Sequence, residues 1–126
     1  MTDLPQTIRR GSKGGVVKGL QNVLRQRGHH VVIDGVFGPA TEAAVVQFQH
    51  VVGLAVDGIV GPNTWSALNV HLVQSGETLF QIAAAALGDG SRWPEIFDLN
   101  RDIVADANHI VPGQVLALPS EGLTAI

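Results

Sequence analysis

The sequence contains no cysteine among its 126 residues. That absence excludes a disulfide framework, a thiolate metal site and any cysteine nucleophile. A basic surplus is missing too: 8 Lys and Arg stand against 11 Asp and Glu, for a net charge of −3. Nucleic-acid recognition calls for clustered positive charge, and the one local basic group, Arg9, Arg10 and Lys13, reads as a solvated N-terminal segment. No apolar run approaches the roughly twenty residues that span a bilayer. Nor does "MTDLPQTIRRGSKGG" hold the apolar core of an export signal.

What is present is enough to fold. Apolar residues make up 45% of the chain and charged residues 15%, which supplies a core and argues against disorder. The length suits one ordinary domain or two very small ones.

The chain writes one phrase twice, as "VIDGVFGPAT" over residues 32–41 and "AVDGIVGPNT" over residues 55–64. Asp34-Gly35 and Asp57-Gly58 are turn dipeptides, because Asp bonds its own backbone and Gly accepts positive φ. Gly38-Pro39 and Gly61-Pro62 are helix starts, since proline fixes φ and lacks an N–H that a first turn leaves unpaired anyway. Each copy is a turn that launches a helix, and the matched spacing points to a duplicated unit. Asp34 and Asp57 are expected mainly to satisfy turn amides.

Helical stripes flank these turns. Val16, Val17, Leu20, Val23 and Leu24 share one face, stopped by Gly28; Ala44, Val45, Phe48 and Val52 share another, closed by Gly53. Pro62 opens a short helix carrying Trp65 and Leu68. From Val70 the pattern changes. "VHLVQ" and "VLALP" read as strands. Between them, "TLFQIAAAAL" is a helix with Leu79, Ile82, Ala83 and Ala86 on one side, capped by Thr78, and "RWPEIFDLNR" is another that Pro94 helps to open. The "AAAA" of residues 83–86 reads as close helix packing. The expected fold is therefore mainly α in two small domains, a three-helix bundle over residues 8–69 and a βααβ unit over residues 70–119, with residues 1–7 and 120–126 frayed.

"RRGSKGGVVKGLQNVLRQRGH", "DGVFGPATEAAVVQFQ" and "VDGIVGPNTWSAL" resemble the three-helix peptidoglycan-binding domain that accompanies many cell-wall hydrolases. The second half, through "VQSGETLFQIA", "WPEIFDLNR" and "IVPGQVLALP", resembles the lysin motif, LysM, a module that binds glycans containing N-acetylglucosamine. Departures from the common motif are Glu77 in place of Asp, Leu72 in place of Thr and Phe80 in place of Trp. The resemblance implies a shallow sugar groove with Gly76, Glu77, Thr78 and Leu79 on one side and Asn108, Ile110, Val111 and Pro112 on the other. Glu77 follows Gly76 at a helix start, so a capping role and a sugar contact both stand.

Several other residues invite sharper readings. Trp65 and Trp93 sit among apolar neighbours at helix positions and are expected in the core, as is Phe48. His29-His30 suggests a metal, but adjacent side chains diverge and no spaced ligand set completes a site. His50, His71 and His109 are scattered. No cofactor is implied.

The resemblance implies a non-catalytic peptidoglycan-binding protein that meets glycan strands, with wall peptide stems as a further contact and a separate cell-wall hydrolase as a partner. It places the protein at the cell wall; the missing export signal leaves a cytoplasmic or phage origin as the other expectation. Catalysis is not expected: wall cysteine peptidases and L,D-transpeptidases need a cysteine, zinc amidases a ligand set, and glycosidases two carboxylates at a set separation. The insert "GDGSRWPEIFDLNRD" also resembles intracellular and phage-tail lysin motifs. That resemblance implies the alternative of a structural or adaptor protein.

Overall fold

The computed structural model describes residues 4–119. Five α-helices, one 3₁₀ turn and a two-stranded sheet follow in the order α1 (Gly15–Gln26), α2 (Pro39–Val52), α3 (Pro62–Leu68), β1 (Val70–Leu72), α4 (Leu79–Leu87), the 3₁₀ turn Gly90–Arg92, α5 (Trp93–Leu99) and β2 (Val115–Ala117). Mainly helical structure, with a three-helix unit ahead of a βααβ unit, agrees with the expectation from sequence. The 3₁₀ turn has no counterpart in it. Its start is fixed by Asp89, whose Oδ1 accepts Ser91 N–H at 2.9 Å.

The two repeated turns are superimposable in their backbone angles. Gly35 and Gly58 take φ of +75° and +74°, and Gly38 and Gly61 cap α2 and α3 with φ of −104° and −103°. In the first copy, Asp34 Oδ1 accepts Val36 N–H at 2.9 Å. The buried Gln21 of α1 completes the turn: its amide N–H group donates to Asp34 Oδ1, Val36 O and Thr41 Oγ1, while its Oε1 accepts the N–H of Asp34 and Gly35. Gln49 of α2 repeats all five bonds in the second copy, with Asp57, Gly58, Ile59 and Thr64. Each helix thus carries a glutamine that closes the turn leading to the next helix. A buried amide left without partners costs about 1–3 kcal/mol, and here every donor and acceptor of the amide is used.

The core of the first half is built from Val17, Leu20, Val23 and Leu24 of α1, Ala44, Val45 and Phe48 of α2, and Trp65 and Leu68 of α3. Val52, expected on the α2 stripe, is 44% exposed, because the chain turns at Gly53 before anything covers that end. Residues 4–7, expected to fray, are engaged: Pro5 is buried, and Gln6 O accepts the Trp65 indole N–H at 3.0 Å. The remainder of the expected tails, residues 1–3 and 120–126, lies outside the described residues.

The sheet pairs β1 and β2 antiparallel, with His71 opposite Leu116. Its alternating faces join the two halves. Val70, Val115 and Ala117 pack into the helical core, whereas Leu116 and Leu118 join Val73, Leu79, Ile82, Ala83, Ile96 and Val104 in a second core. Ala84, Ala85 and Ala86 are exposed, which corrects the reading of "AAAA" as close packing: only Ala83 faces inward.

The junction is closely fitted. A Cβ added at Gly19 would lie 2.6 Å from the Val115 carbonyl oxygen and 2.6 Å from Val115 Cβ, so α1 rests directly on β2. Asn22 Nδ2 donates to Asn100 Oδ1 at 3.0 Å and to Leu99 O at 3.1 Å, and Asn100 bridges onward to both backbone groups of Ala117. Arg27 donates to the carbonyls of Leu68, Asn69 and Leu118. Burial holds its guanidinium below the ordinary arginine value. Asn69, the one non-glycine described residue with positive φ, turns the chain from α3 into β1 in a single step.

Candidate functional site

A cleft of about 290 Å³ opens between the start of α4 and the loop before β2. Glu77, Thr78, Leu79 and Phe80 form one wall; Ala107, Asn108 and Ile110 form the other, with Trp93 between them. Of the eight groove residues expected from sequence, the structure brings Glu77, Thr78, Leu79, Asn108 and Ile110 together. Gly76, Val111 and Pro112 stand exposed beside the cleft rather than lining it.

Local chemistry fixes the first wall. Thr78 caps α4 through a reciprocal pair: its Oγ1 accepts Gln81 N–H at 3.2 Å, and Gln81 Oε1 accepts Thr78 N–H at 3.0 Å. The hydroxyl proton remains to donate outward. Glu77 does not cap the helix. Its Oε1 accepts Gln74 N–H at 2.6 Å and lies 2.8 Å from His71 Nε2 on β1. The extra methylene of Glu over Asp thus folds the carboxylate back to its own turn and to the strand. Partial burial raises the carboxyl pKa, but the hydrogen bonds from His71 and Gln74 and the His71 charge outweigh it, and the net shift is downward. Glu77 is an anion at neutral pH.

The opposite wall is loop. Asp106 Oδ1 accepts Asn108 N–H at 2.9 Å, and its Oδ2 lies 3.2 Å from His109 Nδ1, which shapes the turn that presents Asn108. Gln114 Oε1 accepts Val111 N–H at 2.9 Å and steadies the return to β2. Ile110 is half-buried against the second core.

Phe80, Trp93 and Ala107 were not among the expected groove residues. Trp65 lies in the core as expected, but Trp93 is only half-buried and meets both the second core and the cleft. The sequence signal available was the pair of aromatics flanking the Gly88-Asp89-Gly90 break. Which way each ring turns depends on how α4 and α5 meet, and no local pattern gives that.

Beside the second repeated turn the helical half has a concavity of about 230 Å³ that includes Gln49, Leu54, Asp57, Ile59, Pro62 and Thr64, and a more open one of about 590 Å³ lies along α2 by His30 and His50. The polar side chains Gln49, Asp57 and Thr64 of the first are bonded to one another. His29 and His30 assemble no cluster: His29 Nδ1 lies 3.2 Å from Gln47 Oε1 and its ring meets Phe48 edge-on. Among the described residues no group of three or more His, Asp or Glu stands close enough to hold a metal ion, and no helix is long and apolar enough to cross a membrane.

Comparison with known proteins divides the chain at the same junction. A family model described as "Putative peptidoglycan binding domain" matches residues 13–68, and the model of the LysM domain matches residues 71–119. Over 67 residues the chain is 46% identical to the zinc D-Ala-D-Ala carboxypeptidase of Streptomyces albus G, covering 49% of this chain and 26% of that protein. Over 90 residues it is 33% identical to the potassium binding protein Kbp of Escherichia coli, covering 70% of this chain and 60% of that protein. The chain thus spans less than two thirds of these relatives' length. The crystal structure of the SleB N-terminal domain superposes with a TM-score of 0.50 at 39% identity, over 54% of this chain and 93% of that one.

Proposed function

From a chain that belongs to the peptidoglycan-binding domain family through residues 13–68 and to the LysM family through residues 71–119, we infer a non-catalytic protein of the bacterial cell wall. Its βααβ half holds a glycan containing N-acetylglucosamine, and its helical half adds a second contact with wall polymer. The observation that carries this reading is the cleft between residues 77–80 and 107–110. It sets Glu77, Thr78 and Asn108 beside Leu79, Phe80, Trp93 and Ile110, the mixture of hydrogen-bonding and apolar groups that an acetylated amino sugar presents in return. At about 290 Å³ it lies at the small end of ligand clefts, roughly 300–1,000 Å³. A short stretch of glycan fits that size.

Open sugar sites bind weakly, because hydroxyl groups exchange water bonds for protein bonds with little net gain. A second contact on the same body raises avidity by about 10²–10⁴ when both engage together. The junction of α1 on β2 suits this, since it sets the two halves in one orientation.

Both family matches are to binding modules. The carboxypeptidase activity named for the Streptomyces relative belongs to a protein of which this chain matches 26%. On this reading a hydrolase is a partner and not this chain itself.

Titration with chitotetraose, followed by calorimetry, tests the reading. Saturable heat in wild type, reduced at least about tenfold in affinity by Ile110→Ala, is the expected result; a wild type without heat contradicts it. Kbp favours the second reading, an adaptor working away from the wall, because its name speaks of potassium and it matches across most of this chain. That reading gains if chitotetraose and purified sacculi both leave wild type unbound.

A further inference from the structure

Phe80 is 57% exposed, although it sits one residue into an amphipathic helix and beside a cleft. Exposure of a single aromatic is ordinary; its support is not. A Cβ placed on Gly90 would come within 2.5 Å of Phe80 Cε1 and Cζ and within 2.8 Å of Cδ1. The ring therefore rests directly on the Gly90 backbone, where any side chain would push it away. Gly90 is buried and its φ is not in the left-handed region, so the close approach, rather than backbone freedom, calls for glycine here. Asp89 holds the turn beneath, with Oδ1 accepting from both Ser91 N–H and Ser91 Oγ.

Three residues after Gly90 comes Trp93, which lines the same cleft and leans on Phe97 at 6.5 Å between ring centroids. One ring rests on a glycine and the other backs onto the second core. Each ring is supported on one side before a ligand arrives, and an aromatic side chain has few rotamers to lose on contact.

We propose that Phe80, seated on Gly90, and Trp93 form an aromatic wall that receives the apolar C–H face of an N-acetylamino pyranose, with Phe80 the main apolar contact of the cleft. This rests on the glycan reading above. A pyranose offers hydroxyl groups around its rim and C–H groups on its faces. The rim meets Glu77, Thr78 and Asn108 at little net gain over water, whereas burial of the C–H face removes apolar surface from water on both partners. The second effect makes the larger difference between sugars, because an axial hydroxyl group removes the C–H face it projects from and leaves only the opposite face to lie on Phe80.

The test is chitotetraose titration of wild type, Phe80→Ala, Phe80→Trp and Gly90→Ala, with tryptophan emission read in parallel and melting followed for each. Phe80→Ala is expected to weaken binding at least about tenfold and Phe80→Trp to keep it within about threefold. Gly90→Ala, which alters no cleft side chain, should weaken binding as Phe80→Ala does by displacing the ring. Binding by Phe80→Ala equal to wild type overturns the proposal while leaving the glycan reading intact. A Gly90→Ala variant that melts cooperatively and binds like wild type overturns the seating argument. Absence of wild-type binding removes the glycan reading and the proposal with it.

Discussion

In the helical half, Gln21 and Gln49 direct every donor and acceptor of their amides into the interior, and the conspicuous repeated residues Asp34, Thr41, Asp57 and Thr64 are their partners. In the βααβ half, the cleft wall keeps Glu77, Thr78 and Asn108 at the surface beside two aromatic rings. The contrast separates two uses of polar side chains. The first set closes turns and positions helices; the second set is held in place by neighbours and still faces outward. The repeated motif therefore marks architecture here, and the cleft of the less regular segment is the recognition surface we propose.

The sharpest way to break this comparison is to remove an inward amide. Gln21→Ala or Gln49→Ala strands one buried and one part-buried backbone N–H group and removes a donor to the turn carboxylate, and each is expected to cost about 2–3 kcal/mol. Urea denaturation measures it. A loss under about 1 kcal/mol would show that water replaces the amide and that the turn does not depend on it.

The junction comes next. Gly19→Ala places a methyl group 2.6 Å from the Val115 carbonyl, so α1 and β2 must separate, at about 1–3 kcal/mol. Thermal melting should show the penalty, and amide exchange should quicken in both β2 and α1. Exchange confined to one half would show that the halves unfold independently.

Legibility followed sequence distance. The Gly53 stop, the Pro39 and Pro62 starts and the Thr78 cap are all set by residues within a turn of one another, and the structure has them where the sequence places them. Gln21 and Gln49 lay inside helical stripes, and nothing about a glutamine in a helix says that it faces inward; they precede their turn aspartates by 13 and 8 residues, so no common spacing marks them either. The Asn22–Asn100 bond joins residues 78 apart, and the seat of α1 on Val115 joins residues still further apart. Such contacts arise from how finished elements dock. The same holds for Phe80 and Trp93, whose place on the cleft depends on the α4–α5 packing.

Acid should produce the smallest effect. Asp34 is held below its ordinary value of 3.8 by the hydrogen bonds from Val36 N–H and Gln21, which outweigh desolvation, and Asp57 by those from Ile59 N–H and Gln49. A carboxyl whose folded pKa is depressed stabilises the fold above its unfolded value, and that contribution fades as pH falls through the folded value. Glu77, lowered from 4.5, acts in the same direction. Stability is therefore expected to be flat through neutral pH and to decline from about 4.5 downward. Denaturation midpoints across pH 2–6 on the order of one-unit steps check this. Asp34→Asn with Asp57→Asn should flatten the lower part of the decline; an unchanged profile would remove these turns from the account.

The central claim is that wall recognition resides in the βααβ cleft and that the repeated turns are structural. Co-sedimentation with purified sacculi tests it most directly, comparing wild type with an Asn108→Ala, Ile110→Ala pair and an Asp34→Asn, Asp57→Asn pair, each confirmed folded by its melting curve. The account predicts that the cleft pair loses most binding and the turn pair keeps it. Binding that survives the cleft pair and disappears with the folded turn pair would contradict it and move the recognition surface to the helical half.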